Sequence, residues 1–248
     1  MNRLYIIGIG PGGTGAITGD AINALNDSEL ITAYTPYLDY VKDVVDLDEK
    51  SIFTSGMMKE IERCTHAVES AAKGITTSII STGDAGLYGM AGPCYEIAEE
   101  LGLIEKIEII VVPGVSAVFA AAAELGAPLM HDTAIISLSD LLTPLELIKK
   151  RLKYAALGDF VIGIYNPRSK KRPDNLKMAI DIIAMHRNPK TPVGIVRNAG
   201  RAGTEIIITD LCSIDYESVD MLSLVIVGNT NTRIINGKIV TPRGYENK

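Results

Sequence analysis

Three short glycine-rich segments mark places where backbone could come close to a ligand. The first, Gly8-Ile9-Gly10-Pro11-Gly12-Gly13, follows a β-branched run and precedes residues with helical spacing, the setting required of a dinucleotide fingerprint. Two features count against a phosphate there. Pro11 removes a backbone N–H where one would face the anion. The acid expected about 20 residues on, at the end of the next strand, is missing: Leu30-Ile31-Thr32-Ala33-Tyr34 ends in a phenol, and Asp39 and Asp43 lie too far beyond. A tight turn lining some other pocket is the better reading. The second segment, Ser81-Thr82-Gly83-Asp84-Ala85-Gly86-Leu87-Tyr88-Gly89, offers a carboxylate that could receive an amine or a ribose hydroxyl, or else cap the next helix. The third is Pro113-Gly114-Val115-Ser116-Ala117. Each should follow the carboxyl end of a strand, where ligands bind in open α/β sheets, so the three would share one rim.

Composition narrows the classes. A net charge of −6 argues against a broad nucleic-acid surface. The dense basic segment Arg168-Ser169-Lys170-Lys171-Arg172 is either a solvated loop or, lying directly after a strand, a clamp for carboxylates. No stretch approaches the ~20 apolar residues of a membrane span, and the N-terminus runs straight into a strand-like segment without a leader pattern. Cys64, Cys94 and Cys212 lie far apart with no Cys-x-x-Cys spacing. They read as reduced, mostly buried thiols of a cytoplasmic protein, with no metal site. His66 and His186 fall in predicted helices and read as surface residues.

The elements that must position these residues alternate in the first half. Strands are expected at 3–9, 29–33, 75–81 and 107–112, and helices at 14–25, 58–72 and 88–101. That is the pattern of a mostly parallel sheet covered on both faces. After Pro113-Gly114 a small-residue helix is expected at 115–125. Strands then follow at 134–138, 160–165, 192–197, 205–209 and 222–227, with helices mainly at 144–154 and 175–186. Asn236-Gly237, between Arg233 and Val240, signals a hairpin. The expectation is two α/β domains, 1–113 with a mostly parallel sheet and 114–248 with a mixed one.

The three loops together resemble the tetrapyrrole methylase family, with Ala85 standing where its members commonly carry proline. The likeness continues through Tyr165-Asn166-Pro167-Arg168-Ser169, Thr191 to Arg201 and Val225 to Asn229, and so covers essentially the whole chain. Tyr34 to Tyr40, Ser55 to Cys64, and His131-Asp132 leading to Thr143-Pro144 resemble the branch that methylates C-17 and contracts the macrocycle in cobalamin synthesis. Leu145 departs from the aromatic residue expected there.

The resemblance implies two α/β domains with S-adenosylmethionine in a cleft between them, a tetrapyrrole substrate, and usually a homodimer without nucleic-acid or membrane partners. Carried over by position, the cofactor contacts are Pro11, Gly83, Asp84, Ala85, Leu87, Ser116, Ala117, Tyr165, Asn166, Asn198 and Ala199. Arg168, Arg172, Arg197 and Arg201 would pair with substrate carboxylates, and Met57 would pack on the macrocycle or in a helix core. Methyl transfer needs mainly orientation. Ring contraction moves protons, so His131 and Asp132, a titratable pair just before a strand, are the expected acid–base groups. Competing expectations are a sister methylase acting on another carbon, an NAD(P)-dependent oxidoreductase, and a non-catalytic tetrapyrrole carrier.

Overall fold

The structure, a computed structural model, describes residues 2–245 of the 248. The chain divides into two compact units, Met1–Ala117 and Val118–Lys248. The boundary expected at 113/114 falls inside the third glycine loop, all of which lies in the first unit.

The first unit runs β1 (Asn2–Gly8), α1 (Gly19–Asp27), β2 (Leu30–Tyr34), β3 (Ser51–Ser55), α2 (Glu60–Ala72), β4 (Thr77–Ser81), α3 (Ala91–Glu100), β5 (Ile107–Val112). Its sheet has the order β3-β2-β4-β1-β5 and is parallel throughout. Alternation along β1 explains why both faces are covered. Leu4 and Ile6 bury against α2 and α3 with Cys64, Val68, Cys94 and Ile97. Ile7 points the other way, with Ala21 and Leu25 of α1 and with Ile31. The all-parallel arrangement brings every strand's carboxyl end to one rim.

The second unit runs α4 (Ala117–Leu125, its first residue across the division), β6 (Gly126–Ala127), β7 (Thr133–Ser137), α5 (Leu145–Leu157), β8 (Val161–Tyr165), α6 (Asn175–Ala184), β9 (Pro192–Arg197), β10 (Glu205–Asp210), β11 (Ser223–Val227), β12 (Arg233–Ile235), β13 (Lys238–Val240). The main sheet, β10-β9-β11-β8-β7, is mixed: β7 and β8 are parallel, while β11 runs against both β8 and β9, and β10 against β9. One face carries α5 and α6 over Ile162, Ile164, Val193 and Ile195. On the other, α4 settles on two glycines of the sheet. A Cβ at Gly163 would lie 3.0 Å from Val118, and one at Gly194 would lie 2.4 Å from Leu125. The hairpin β12–β13 turns at Asn236 (φ 47°) and Gly237 (φ 71°), and β13 pairs with β6. No helix among the described residues is long and apolar enough to cross a membrane. All three cysteines are free, Cys64 and Cys94 buried and Cys212 exposed.

Candidate active site

On the rim of the first unit, the loops after β1, β4 and β5 touch one another through backbone. Gly10 and Gly83 form an isolated antiparallel bridge, with Gly10 N donating to Gly83 O at 3.1 Å and Gly83 N donating to Gly10 O at 2.6 Å. A Cβ at Gly8 would stand 2.7 Å from both Gly114 N and Gly83 O, and one at Gly114 would stand 2.3 Å from Gly83 O. The glycines are therefore needed for each other. The amides of Ile9, Gly10 and Gly83 are spent on Ser81, Gly83 and Gly10, so they cannot cradle a phosphate. This takes three amides of the loops out of reach of a phosphate.

Asp84 ties the second loop to the third. Its Oδ1 accepts from the amides of Gly86 (2.8 Å) and Leu87 (3.1 Å), and its Oδ2 from that of Gly114 (3.1 Å). It does not cap α3, which begins at Ala91 behind Met90. Pro11, Gly83, Ala85 and Ser116 are buried, while Asp84, Leu87 and Ala117 are partly exposed on the rim. Ala85 belongs to the core beside Cys64 and Cys94. Tyr88 and Met58, two exposed non-glycine residues beside rim loops, sit in the left-handed region at φ 57° and 63°, a strain of about 1–2 kcal/mol each that clusters at functional sites.

The segments 34–40 and 55–64 stood out in the sequence, but their place on this rim did not, because β3 was not expected. Yet Ile52-Phe53-Thr54 closed by Gly56 is a strand signal. β3 pairs with β2 and sets Ser55 opposite Tyr34, so the aromatic segment 34–40 and the segment 55–58 join the same rim. Phe53 is stacked on His66, with ring centroids 3.8 Å apart and planes 7° apart. His66 is accordingly half-buried and not a surface residue, and its Nδ1 has no partner among the described residues. Burial, with Lys73 nearby, holds its pKa below the ordinary value. His186 lies beyond the end of α6 and is likewise half-buried.

The second unit has its own rim, where β7, β8 and β9 end and β10 and β11 begin. Tyr165 and Asn166 close β8. The Tyr165 hydroxyl accepts from Val118 N, one of the amides left open at the start of α4, at 3.0 Å. Asn166 (φ 51°) donates to Ser137 Oγ at 2.9 Å. Asn198 (φ 53°) follows β9, its amide bonded to Leu222 O at 3.1 Å, with the buried Ala199 next to it. Two consecutive rim positions thus hold asparagine in a left-handed turn, a conformation its short polar side chain tolerates.

The candidate arginines also gather here, and Arg168, Arg172 and Arg197 are already matched by carboxylates of this chain. Arg168 makes a two-oxygen contact with Glu217 at 2.7 Å. Arg172 donates to Ser139 Oγ at 2.7 Å and pairs with Asp140 at 3.6 Å. Arg197 holds Asp220 at 2.9 Å and Glu205 at 3.2 Å. Burial pushes the Asp220 carboxyl up, but Arg197 and the donors from Leu222 and Ser223 outweigh it and keep it below the usual range. Arg201 lies on the turn after Asn198. A substrate carboxylate would share or exchange these partners.

His131 and Asp132 lie apart from the other candidates. They stand before β7, and Val161 N, at the start of β8, donates to Asp132 O. This is the amino end of both strands, opposite Tyr165 and Asn198 by the length of a five-residue strand, about 17 Å. Both side chains are exposed, 3.9 Å apart at closest approach, and the structure brings no other candidate to them.

A methyl donor fits the first rim as it stands. A neutral adenosine and a zwitterionic amino acid require small walls and a few polar groups, not a phosphate nest. A carboxylate offers about four acceptor positions, and Asp84 has filled three of them with amides. A Cβ built on Gly83 would sit in ordinary contact with Ala117 N at 3.8 Å and Ser116 Cα at 3.9 Å, so the third loop lies directly against the second.

An α/β rim where three interlocked glycine loops meet at the carboxyl ends of parallel strands is where a small-molecule site is expected. The sequence model of the tetrapyrrole (corrin/porphyrin) methylases matches residues 3–215, and the chain belongs to that family. It is 47% identical over 242 residues to a probable cobalt-factor III C(17)-methyltransferase of Salmonella typhimurium, covering 98% of this chain and 99% of that one. It is 36% identical over 248 residues to a precorrin-3B C(17)-methyltransferase of Sinorhizobium, covering 98% and 96%. The crystal structure of the methyltransferase CobJ superposes with a TM-score of 0.92 at 34% identity, covering 98% of this chain and all of that one.

Proposed function

We propose that this chain is an S-adenosylmethionine-dependent methyltransferase of cobalamin biosynthesis that methylates C-17 of cobalt-factor III and assists contraction of the macrocycle. The observation that carries the reading is the end-to-end 47% identity to the Salmonella relative named for that activity. The lower, 36% identity to the precorrin-3B enzyme favours the cobalt-containing acceptor over the metal-free one. The interlocked glycine rim, closed to phosphate, supports a methyl donor over NAD(P).

S-adenosylmethionine supplies an electrophilic methyl group, and the acceptor carbon of an electron-rich macrocycle is the nucleophile. The chain's task is then to orient. Pro11, Gly83, Asp84, Leu87, Ser116 and Ala117 hold the donor from the first unit. On the second unit the candidate donor contacts are Tyr165, Asn166, Asn198 and Ala199. Arg168, Arg172, Arg197 and Arg201 take acceptor carboxylates, arginine giving the bidentate geometry. Work as a homodimer in the cytoplasm is part of the proposal, supported by the family likeness and by three unpaired cysteines.

The test is incubation with methyl-labelled S-adenosylmethionine and either cobalt-factor III or precorrin-3B, reading product mass and absorption spectrum. Label in the cobalt-factor III product, with the spectrum of a contracted ring, is expected. Transfer to precorrin-3B alone would reverse the choice of acceptor, and binding of both ligands without transfer would favour a carrier.

A further inference from the structure

We infer that residues 55–58, the loop that follows β3, form the wall on which the flat face of the tetrapyrrole rests, and that Arg63 is the positioning residue that holds this wall. The inference rests on the function proposed above, but its observations are separate. The loop shares the rim of the glycine loops, because β3 runs parallel to every other strand of its sheet. At its tip Met57 and Met58 are 65% and 69% exposed. Met58 is also held at φ 63°, a conformation that an unbranched apolar residue keeps only where its surroundings impose it. Two large apolar side chains thus stand in water at the mouth of a site.

A buried cation braces the residues just before this tip. The Arg63 side chain is 6% exposed. It donates to Ser55 Oγ at 3.0 Å and to Gly56 O at 2.9 Å, pairs with Glu60 at 3.5 Å, and lies 5.8 Å over the ring of Tyr34. Tyr34 in turn meets Tyr37 edge-on at 5.1 Å. One guanidinium therefore ties together the ends of two neighbouring strands and fixes the methionine tip beside an aromatic column. The acceptor carries its carboxylates at the periphery and an apolar conjugated face between them. Thioether side chains suit such a face, since sulfur packs well on π-systems and adapts to shape.

Anaerobic absorbance titration with cobalt-factor III and calorimetry with S-adenosylhomocysteine test this on the full chain. The M57A/M58A double variant should bind cobalt-factor III about tenfold more weakly, the effect of losing two such apolar contacts, with unchanged affinity for S-adenosylhomocysteine. Arg63→Lys keeps the charge and loses the fork. It should weaken cobalt-factor III binding severalfold, yet add nothing in the M57A/M58A background, because it acts only through that loop. Unchanged cobalt-factor III binding in the double variant would overturn the wall. So would equal loss of both ligands, or a changed oligomeric state with macrocycle affinity intact, which would make the tip a subunit contact. Failure of the wild-type protein to bind any tetrapyrrole would overturn the proposed function and the wall with it.

Discussion

Replacing Gly114 by alanine should damage the donor rim more than any other one-carbon change in the first unit. The backbone there is not in the left-handed region, so alanine is conformationally allowed and only space opposes it. The new Cβ would lie 2.3 Å from Gly83 O and 2.5 Å from Gly8 O, the first about 0.7 Å inside the 3.0 Å that real Cβ atoms respect. Both obstacles are backbone of loops anchored by β1 and β4, so neither can rotate away. Overpacking by a methyl group costs about 1–3 kcal/mol where side chains can adjust; with backbone on two sides about 3 kcal/mol is expected, a fall in Tm of about 6–12 °C. Because the three loops would be pushed apart, the Kd for S-adenosylmethionine should rise about tenfold or more. Gly92→Ala is the control. It lies in α3 with nothing within 4 Å of the added carbon, and should stabilise by about 0.5–1 kcal/mol. Thermal unfolding and calorimetry read both. Wild-type Tm and affinity in the Gly114 variant would refute the interlock, and a comparable loss in Gly92→Ala would reduce the effect to a general intolerance of alanine for glycine.

Asp84→Asn keeps an acceptor for Gly86 and Leu87 but turns an amide donor towards Gly114 N. A loss of about 1–2 kcal/mol, discounted for partial exposure, should accompany weaker binding of S-adenosylmethionine; weaker binding with an unmoved Tm would instead make the carboxylate purely a ligand contact. Glu217→Gln removes the charge that occupies Arg168. If that guanidinium takes a substrate carboxylate, KM for the acceptor should fall about two- to fivefold, and a rise would exclude the role. His66 has its folded pKa lowered, so its contribution to stability is present above the unfolded value of about 6.5 and is lost as pH falls below it. Urea midpoints should therefore drop as the pH falls below about 6.5 and flatten in His66→Phe, while a slope unchanged by that substitution would assign the loss to other groups.

Much of this was legible in the sequence, and the misses have physical causes. β9 spans Pro192–Arg197 as expected, and Asn236-Gly237 turns as its type requires. Helices α2 and α3 were read two or three residues too long at their starts. The reason is the same in both: Met58 and Tyr88 take left-handed conformations that no helix admits. Likewise α1 begins at Gly19 and not near Thr14, because the Thr18 side chain accepts from Ala21 N and caps it there. The three glycine loops could be found from composition and strand ends. That they exist to touch one another could not, since contact between loops 70 and 30 residues apart leaves no local mark. His131 and Asp132 were read from their residue types alone; their place before a strand sets them at the end opposite to where ligands gather in open α/β sheets.

The meeting of Gly8, Gly83 and Gly114 has a consequence for how such an enzyme can change. Where a pocket wall is made of side chains, single substitutions can reshape it by degrees. Here three main-chain segments close on one another with no room for a carbon atom, so the donor side offers almost no graded variants. Change of acceptor must then be tried elsewhere, on positions whose side chains project from the rim. In a saturation library selected for a new macrocycle, accepted substitutions should gather at residues 34–40 and 55–58 and leave the three glycines untouched. The fold separates a part that cannot drift from a part that can.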